Sequence, residues 1–239
     1  MPSIFRRSFS ASHMNLQAHY DAMREAAIQR LAHGDAELDP LIAYEANPRM
    51  GITLLTRPPA PITAAIEAML ADFRLIEPDQ YYYPASNLHL TILSIISCYS
   101  GFQLTEINPT DYQQAVRNIL RHVRPFTITF TGLTASPGGI MVQGFPQDET
   151  LNDLRDELRT FFRASGLQQS IDQRYSIQTA HTTVLRFQSQ LRDGPALLEK
   201  LGQYQHHSFG SFEVNELELV FNDWYQRAAN TVLLERYAL

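Results

Sequence analysis

The sequence predicts an α+β fold built on antiparallel sheets. Three observations lead there. Short apolar runs rich in β-branched residues alternate with amphipathic stretches of helical period. Tight-turn residues, Pro137-Gly138-Gly139 above all, connect strands that are neighbours in sequence, as hairpins require. The order strand, helix, histidine-bearing strand, helix also occurs twice, with no letter-level duplication outside the histidine strands. Alternation alone would suit a doubly wound parallel sheet as well; the hairpin turns decide against it.

Taken in order, Asn15 to Leu31 reads as a helix, with Leu16, Tyr20, Met23, Ala27, Ile28 and Leu31 near a 3.6-residue period. His33-Gly34-Asp35 stops it, and an acidic connector runs to Pro48. Residues 1–48 are therefore read as an N-terminal extension, and 49–239 as the main domain of two lobes. Gly51 to Thr56 is a strand ended by Pro58-Pro59, and Ile62 to Phe73 forms an apolar helical stripe. Asn87 to Ser97 is a long strand and Asp111 to Val123 a helix. The second round gives a strand at Phe126 to Leu133, the hairpin turn, and a helix carrying Leu151, Leu154, Leu158, Phe161 and Phe162. A strand at His181 to Phe187 and a helix at Leu191 to Leu201 follow. Phe212 to Phe221 and Thr231 to Tyr237 read as a closing pair of strands around Asn222-Asp223-Trp224.

Composition bounds the function. The chain has 239 residues, 44% hydrophobic and 18% charged, which is ordinary for a globular protein with a sizeable core. No apolar run is long enough for a membrane span, so no membrane partner is expected. A single cysteine, Cys98, excludes an internal disulfide and a cysteine-rich zinc cluster; it reads as a buried, inert thiol. A net charge of −6 argues against tracking a long duplex, but not against a short RNA or a mononucleotide in a local pocket. Residues 1–14 are basic and serine-rich, and no acid precedes Asp21. A cytoplasmic location is expected, with mitochondrial import the alternative that this opening stretch raises.

The informative residues are two tetrapeptides, His89-Leu90-Thr91-Ile92 and His181-Thr182-Thr183-Val184. In a strand, residues i and i+2 share a face about 6.5–7 Å apart. His89 and Thr91 thus face one way, as do His181 and Thr183. If the halves pair about a pseudo-twofold axis, two imidazoles and two hydroxyls meet in one groove. That set suits a phosphodiester. One imidazole can accept a proton while the other donates one, and two hydroxyls can donate to non-bridging phosphate oxygens. No metal or cofactor is called for, and no acidic cluster near these strands offers a metal a seat.

The paired motifs resemble the 2H phosphoesterase superfamily, especially its branch of 2′-5′ RNA ligases and cyclic nucleotide phosphodiesterases. The resemblance spans roughly Arg49 to Leu239 and rests on His89/Thr91, on His181/Thr183 with Leu185-Arg186 following, and on the final strand pair. It implies a bilobal fold, with two antiparallel sheets flanking a cleft and helices outside. It implies 2′,3′-cyclic or 2′-5′ phosphodiester substrates, catalytic His89 and His181, and phosphate-binding Thr91 and Thr183. Two departures stand out: Thr182 occupies a position that is usually apolar, and Ser94-Ile95-Ile96 replaces the usual Phe-Leu-Gly.

Secondary candidates for substrate binding are Arg186, Tyr83, Tyr175 and Trp224. Arg186 could neutralise phosphate charge, although strand parity puts it opposite His181 and gives a structural ion pair at least equal weight. The aromatic residues could stack a base, with core packing the competing reading. His206-His207 would face opposite sides of a strand, and His13, His19, His33 and His122 lack partners at ligand spacing. A monomer acting on a nucleotide or short RNA is expected. A nucleotide-binding module without turnover competes with the enzyme, and a metallohydrolase using both histidines is a third reading.

Overall fold

The computed structural model describes residues 15–44, 47–173 and 176–239; the basic opening stretch and Tyr175 lie outside them. Helix α1 (Leu16–Ala32) leads to β1 (Arg49–Thr56), α2 (Ala60–Ile76), β2 (Tyr81–Tyr82), β3 (Leu90–Ser100) and α3 (Pro109–Leu120). Then come β4 (Phe126–Ser136), β5 (Gly139–Pro146), α4 (Thr150–Ala164), β6 (Thr182–Arg186) and α5 (Gly194–Gln203), and finally β7 (Ser208–Val214), β8 (Glu216–Asp223) and β9 (Val232–Ala238).

The strands form two antiparallel sheets, ordered β3-β1-β8-β9 and β2-β6-β5-β4-β7. The first half contributes β1 and β3 to one sheet and β2 to the other; the last strands, β8 and β9, return to complete the first. Each histidine strand lies beside a largely buried partner, β3 beside β1 and β6 beside β5. Caps set several helix starts. Asn15, Asn108 and Asp193 accept backbone hydrogen bonds from Ala18, Thr110 and Ala196, each satisfying an amide the helix leaves free. Among the described residues, no helix is long and apolar enough to cross a membrane.

Two expected boundaries move. The run Phe212 to Phe221 is two strands in two sheets: β7 pairs with β4, and β8 pairs with β1 and β9. Apolar residues recurring among polar ones, Phe212, Val214, Leu217 and Leu219, carried the reading across Asn215, where the chain changes sheets. The first histidine strand starts at Leu90, because Ala85–Asn87 is a turn of 3-10 helix, so His89 stands just ahead of it.

Helix α1 packs on β4 and α5 rather than standing apart. Tyr20 is fully buried, and its hydroxyl donates to the Gly144 carbonyl (3.1 Å) while accepting from the amides of Ala180 (3.1 Å) and Gly144 (3.3 Å). The pairing of β5 with β6 ends at Val142–Thr182, and Tyr20 supplies the partner that Gly144 would otherwise lack. A Cβ at Gly144 would run into the Ala180 carbonyl, which explains the glycine there.

Candidate active site

Between the sheets lies a cleft open to solvent. His89, Thr91, His181 and Thr183 all line it, with Tyr83, Arg186 and Trp224. Thr53, Ser94, Ser97, Cys98, Asn222 and Gln226 complete its wall. The cleft thus draws on β1, β3, β6 and β8 and on the segment after β8.

The strand register explains why these particular residues face it. Leu54 pairs with Leu93 and Leu55 with Thr91, so Ile92 is an extra residue in β3. Ile140 pairs with Leu185 and Met141 with Thr183, so Val184 is an extra residue in β6. The two bulges occupy equivalent positions, three residues after each histidine. A bulge resets the alternation of side chains. Thr91 and Ser94 therefore share the cleft face, as do Thr183 and Arg186. A further bulge at Ile95 brings Ser97 to the same face. This corrects the parity argument for Arg186, which assumed an unbroken strand and set it opposite His181.

The histidines are half-buried and differently held. Nδ1 of His89 lies 2.8 Å from the Asn87 carbonyl, which can only accept, so Nδ1 carries the proton and Nε2 is left with its lone pair. Nδ1 of His181 lies 2.6 Å from the Thr179 hydroxyl, which can either donate or accept. Burial lowers both pKa values to about 4. The Asn87 carbonyl partly offsets this for His89, while the charges of Arg155, His89 and Arg186 add to it for His181. Both imidazoles are therefore neutral at neutral pH.

Arg186 donates through Nε to the Tyr83 hydroxyl at 2.9 Å. Burial alone would lower its pKa, but Tyr83, Asp39 and Tyr225 outweigh burial and the net shift is upward, so it stays a cation. Tyr83 is 1% exposed, so it packs in the core and still places its hydroxyl at the cleft. The Trp224 ring lies under two guanidinium groups, with those of Arg49 and Arg186 at 5.2 and 5.9 Å from its centroid. The loop after β8 is fastened beside His89, since the Ala228 amide donates to Asn87 Oδ1 at 3.0 Å. Cys98 is buried, as expected, though it borders the cleft. Among the described residues, no three His, Cys, Asp or Glu side chains gather as a metal-holding group.

Sequence reasoning missed Ser94, Ser97, Thr53, Asn87, Thr179, Asn222, Gln226 and Arg155. For β3 the signal was present: Thr91, Ser94 and Ser97 are separated by pairs of apolar residues, a period of three that a bulged strand produces and a regular one does not. Arg155 sat among Leu151, Leu154, Leu158 and Phe162 on the apolar stripe of α4, where a cation is out of place unless it has buried partners.

Two sheets around a cleft that holds a doubled His-x-Thr motif define a 2H phosphoesterase fold. The chain belongs to the 2′-5′ RNA ligase superfamily, whose family model matches residues 55–223, and membership carries a phosphodiesterase-type function. Solved structures share the fold. TT0787 of Thermus thermophilus is 18% identical with a TM-score of 0.54, covering 79% of this chain and 97% of its own. E. coli LigT, crystallised with 3′-AMP, is 20% identical with a TM-score of 0.52, covering 80% and 98%. A conserved protein of unknown function, ATU0111 from Agrobacterium tumefaciens, is 18% identical with a TM-score of 0.51, covering 80% and 88%. No curated protein matches the chain by sequence.

Proposed function

We propose that this protein hydrolyses a nucleoside 2′,3′-cyclic phosphate or a 2′-5′ phosphodiester, with His89 as general base and His181 as general acid. The observation that carries the reading is the pair of imidazoles in one cleft with a threonine hydroxyl beside each. His89 presents the Nε2 lone pair, because its Nδ1 proton is committed to Asn87; it takes the proton of the attacking water. His181 in its protonated state donates Nδ1–H to the Thr179 hydroxyl and delivers Nε2–H to the departing ribose oxygen. Thr91, Thr183 and Arg186 bind the non-bridging oxygens as charge builds on them. A bound phosphodiester anion supplies a negative charge beside both histidines, and so raises the pKa of the acid. Trp224 at the cleft and Tyr175 are the candidates for base stacking.

A nucleotide is the natural occupant: LigT holds 3′-AMP in a protein of the same fold. We take the protein to act as a monomer, with 49–239 as the catalytic domain and 1–48 as its extension. The proposal needs no metal in the reaction. A cytoplasmic site of action fits this reading, with mitochondrial import the alternative.

The test is turnover of 2′,3′-cyclic nucleotides and 2′-5′ dinucleotides in EDTA by wild type, His89→Ala and His181→Ala. Each substitution is expected to lower kcat by about 10²–10⁴-fold. Full activity in His89→Ala, or loss of wild-type activity in EDTA, overturns the reading. The alternative is a module that binds nucleotides without turning them over. It is favoured by the lowered pKa values of both imidazoles, and it predicts binding without turnover across the same panel.

A further inference from the structure

Helix α4 carries a cation on its apolar face. Arg155 is 1% exposed, between Leu151 and Leu158 on the stripe that packs inward. Among the described residues no carboxylate lies within ion-pair distance of it. Its guanidinium is spent on three backbone carbonyls instead: Nε donates to Ile92, and one Nη donates to both Thr91 and Thr179, each at 2.9 Å. A buried charge is costly unless hydrogen bonds surround it, so these partners are what keep it there.

The identity of the carbonyls gives the arrangement its meaning. Ile92 is the bulge residue of β3, and β3 is an edge strand, so its outward carbonyls have no ladder partner. Thr91 follows His89 by two residues. Thr179 precedes His181 by two and holds the His181 ring through its hydroxyl. One rigid, planar group thus joins the segments that carry both histidines, although they belong to different sheets.

We propose that Arg155 is a positioning residue that fixes the separation of the two histidines by tying their backbones together beneath the cleft. The proposal rests on the acid–base reading of that cleft. Arg155 is out of hydrogen-bonding contact with the imidazoles and acts through Thr91, Ile92 and Thr179. Its charge also bears on His181, together with Arg186 from β6 and His89 from the segment before β3, while Tyr20 from α1 interacts with the Thr179 hydroxyl.

The experiment compares wild type, Arg155→Lys and Arg155→Met in the full chain. Histidine titrations are followed by NMR, alongside kcat and KM with a 2′,3′-cyclic nucleotide, all per folded molecule. Arg155→Met should raise the His181 pKa relative to wild type and lower kcat by about 30-fold or more, with KM within about threefold. These sizes follow from the steep dependence of catalysis on sub-ångström placement. Arg155→Lys keeps the charge but cannot span three carbonyls, so the His181 pKa should stay near wild type while kcat falls by about tenfold. Wild-type kcat in Arg155→Lys overturns the proposal, as does a fall in activity that only tracks the folded fraction in either variant. If Arg155→Met does not fold, the lysine variant decides. The NMR readout needs no turnover, so a wild type with no activity on any phosphodiester would defeat the acid–base reading. Displaced ring resonances of His89 and His181 in Arg155→Lys, where the charge is kept and the three carbonyls are not spanned, would then still report on the tie.

Discussion

Removing one hydroxyl from Tyr20 should measurably loosen the whole molecule. The Tyr20→Phe change keeps the ring and its edge-on contact with Phe145, at 5.5 Å between centroids. It deletes three hydrogen bonds, to the Gly144 carbonyl and from the amides of Gly144 and Ala180. All three groups sit where β6 no longer covers β5, so no strand takes the hydroxyl's place. A buried backbone group left without a partner costs about 1–3 kcal/mol, so about 3 kcal/mol is the low end for three. For a chain of this size that corresponds to a fall in Tm of roughly 6–12 °C, at about 2–4 °C per kcal/mol. Burial pushes the phenol pKa up to about 12, so the hydroxyl keeps its proton at neutral pH and the loss should not vary between pH 7 and 9. Scanning calorimetry of both proteins at pH 7.5 measures the difference. A fall of less than about 2 °C would refute the reasoning, because it would mean that α1 and its tyrosine are ornamental to the sheet they cover.

Three further outcomes follow from the same structure. Thr182 is fully buried and its hydroxyl has no hydrogen-bond partner among the described residues; Thr182→Val should therefore raise stability by about 1–2 kcal/mol, read as a higher urea midpoint, and a lower midpoint would show a hidden partner. Both cleft histidines have folded-state pKa values of about 4 against 6.5 unfolded. Their contribution to stability is therefore complete above about pH 6.5 and is lost as pH falls from there towards about 4. Urea midpoints should decline across that window in wild type and decline less in a His89→Gln/His181→Gln double variant; equal declines would place the acid sensitivity elsewhere. Arg186→Met should lower kcat/KM for a cyclic nucleotide by about 10–100-fold, the value of one strong charge-assisted contact, and Arg186→Lys should recover only part of it. Unchanged kinetics in Arg186→Met would remove Arg186 from the phosphate site.

Much of this was legible in the letters, for reasons that also explain the errors. Helices announce themselves through a 3.6-residue stripe, and α2, α3 and α4 fall within a few residues of expectation. The doubled His-x-Thr segment survives because the two residues are close in sequence and need only local alternation to share a face. Alternation fails wherever a residue is inserted, and a bulge is a property of the pair of strands rather than of either one. Arg186 was misplaced for that reason. The sheet exchange at Asn215 was missed because apolar content continues across it while the partner strand changes. Asn87 and Thr179 could not be read at all: their roles depend on a carbonyl and a hydroxyl that only the turns before each strand bring to an imidazole.

The doubled architecture poses a problem that the second layer of the site addresses. A perfect pseudo-twofold would surround both imidazoles identically, and identical groups give no reason for one to take a proton and the other to give it. Symmetry holds for the features nearest the cleft: a histidine, a threonine two residues later, and a bulge one residue after that. It breaks immediately behind them. His89 is backed by a carbonyl that only accepts, His181 by a hydroxyl that does either. Past the bulges, Ser94 and Arg186 stand at matching places in β3 and β6, one neutral and one cationic. On the proposed mechanism the Arg186 cation on the β6 wall of the cleft draws the anionic phosphoryl group toward it. The β3 side, with Ser94, Ser97 and Thr53, offers hydroxyls suited to an uncharged sugar. On the proposed mechanism, that division orients the substrate and the two ring partners divide the proton work, while the tie through Arg155 keeps the unequal halves at one spacing.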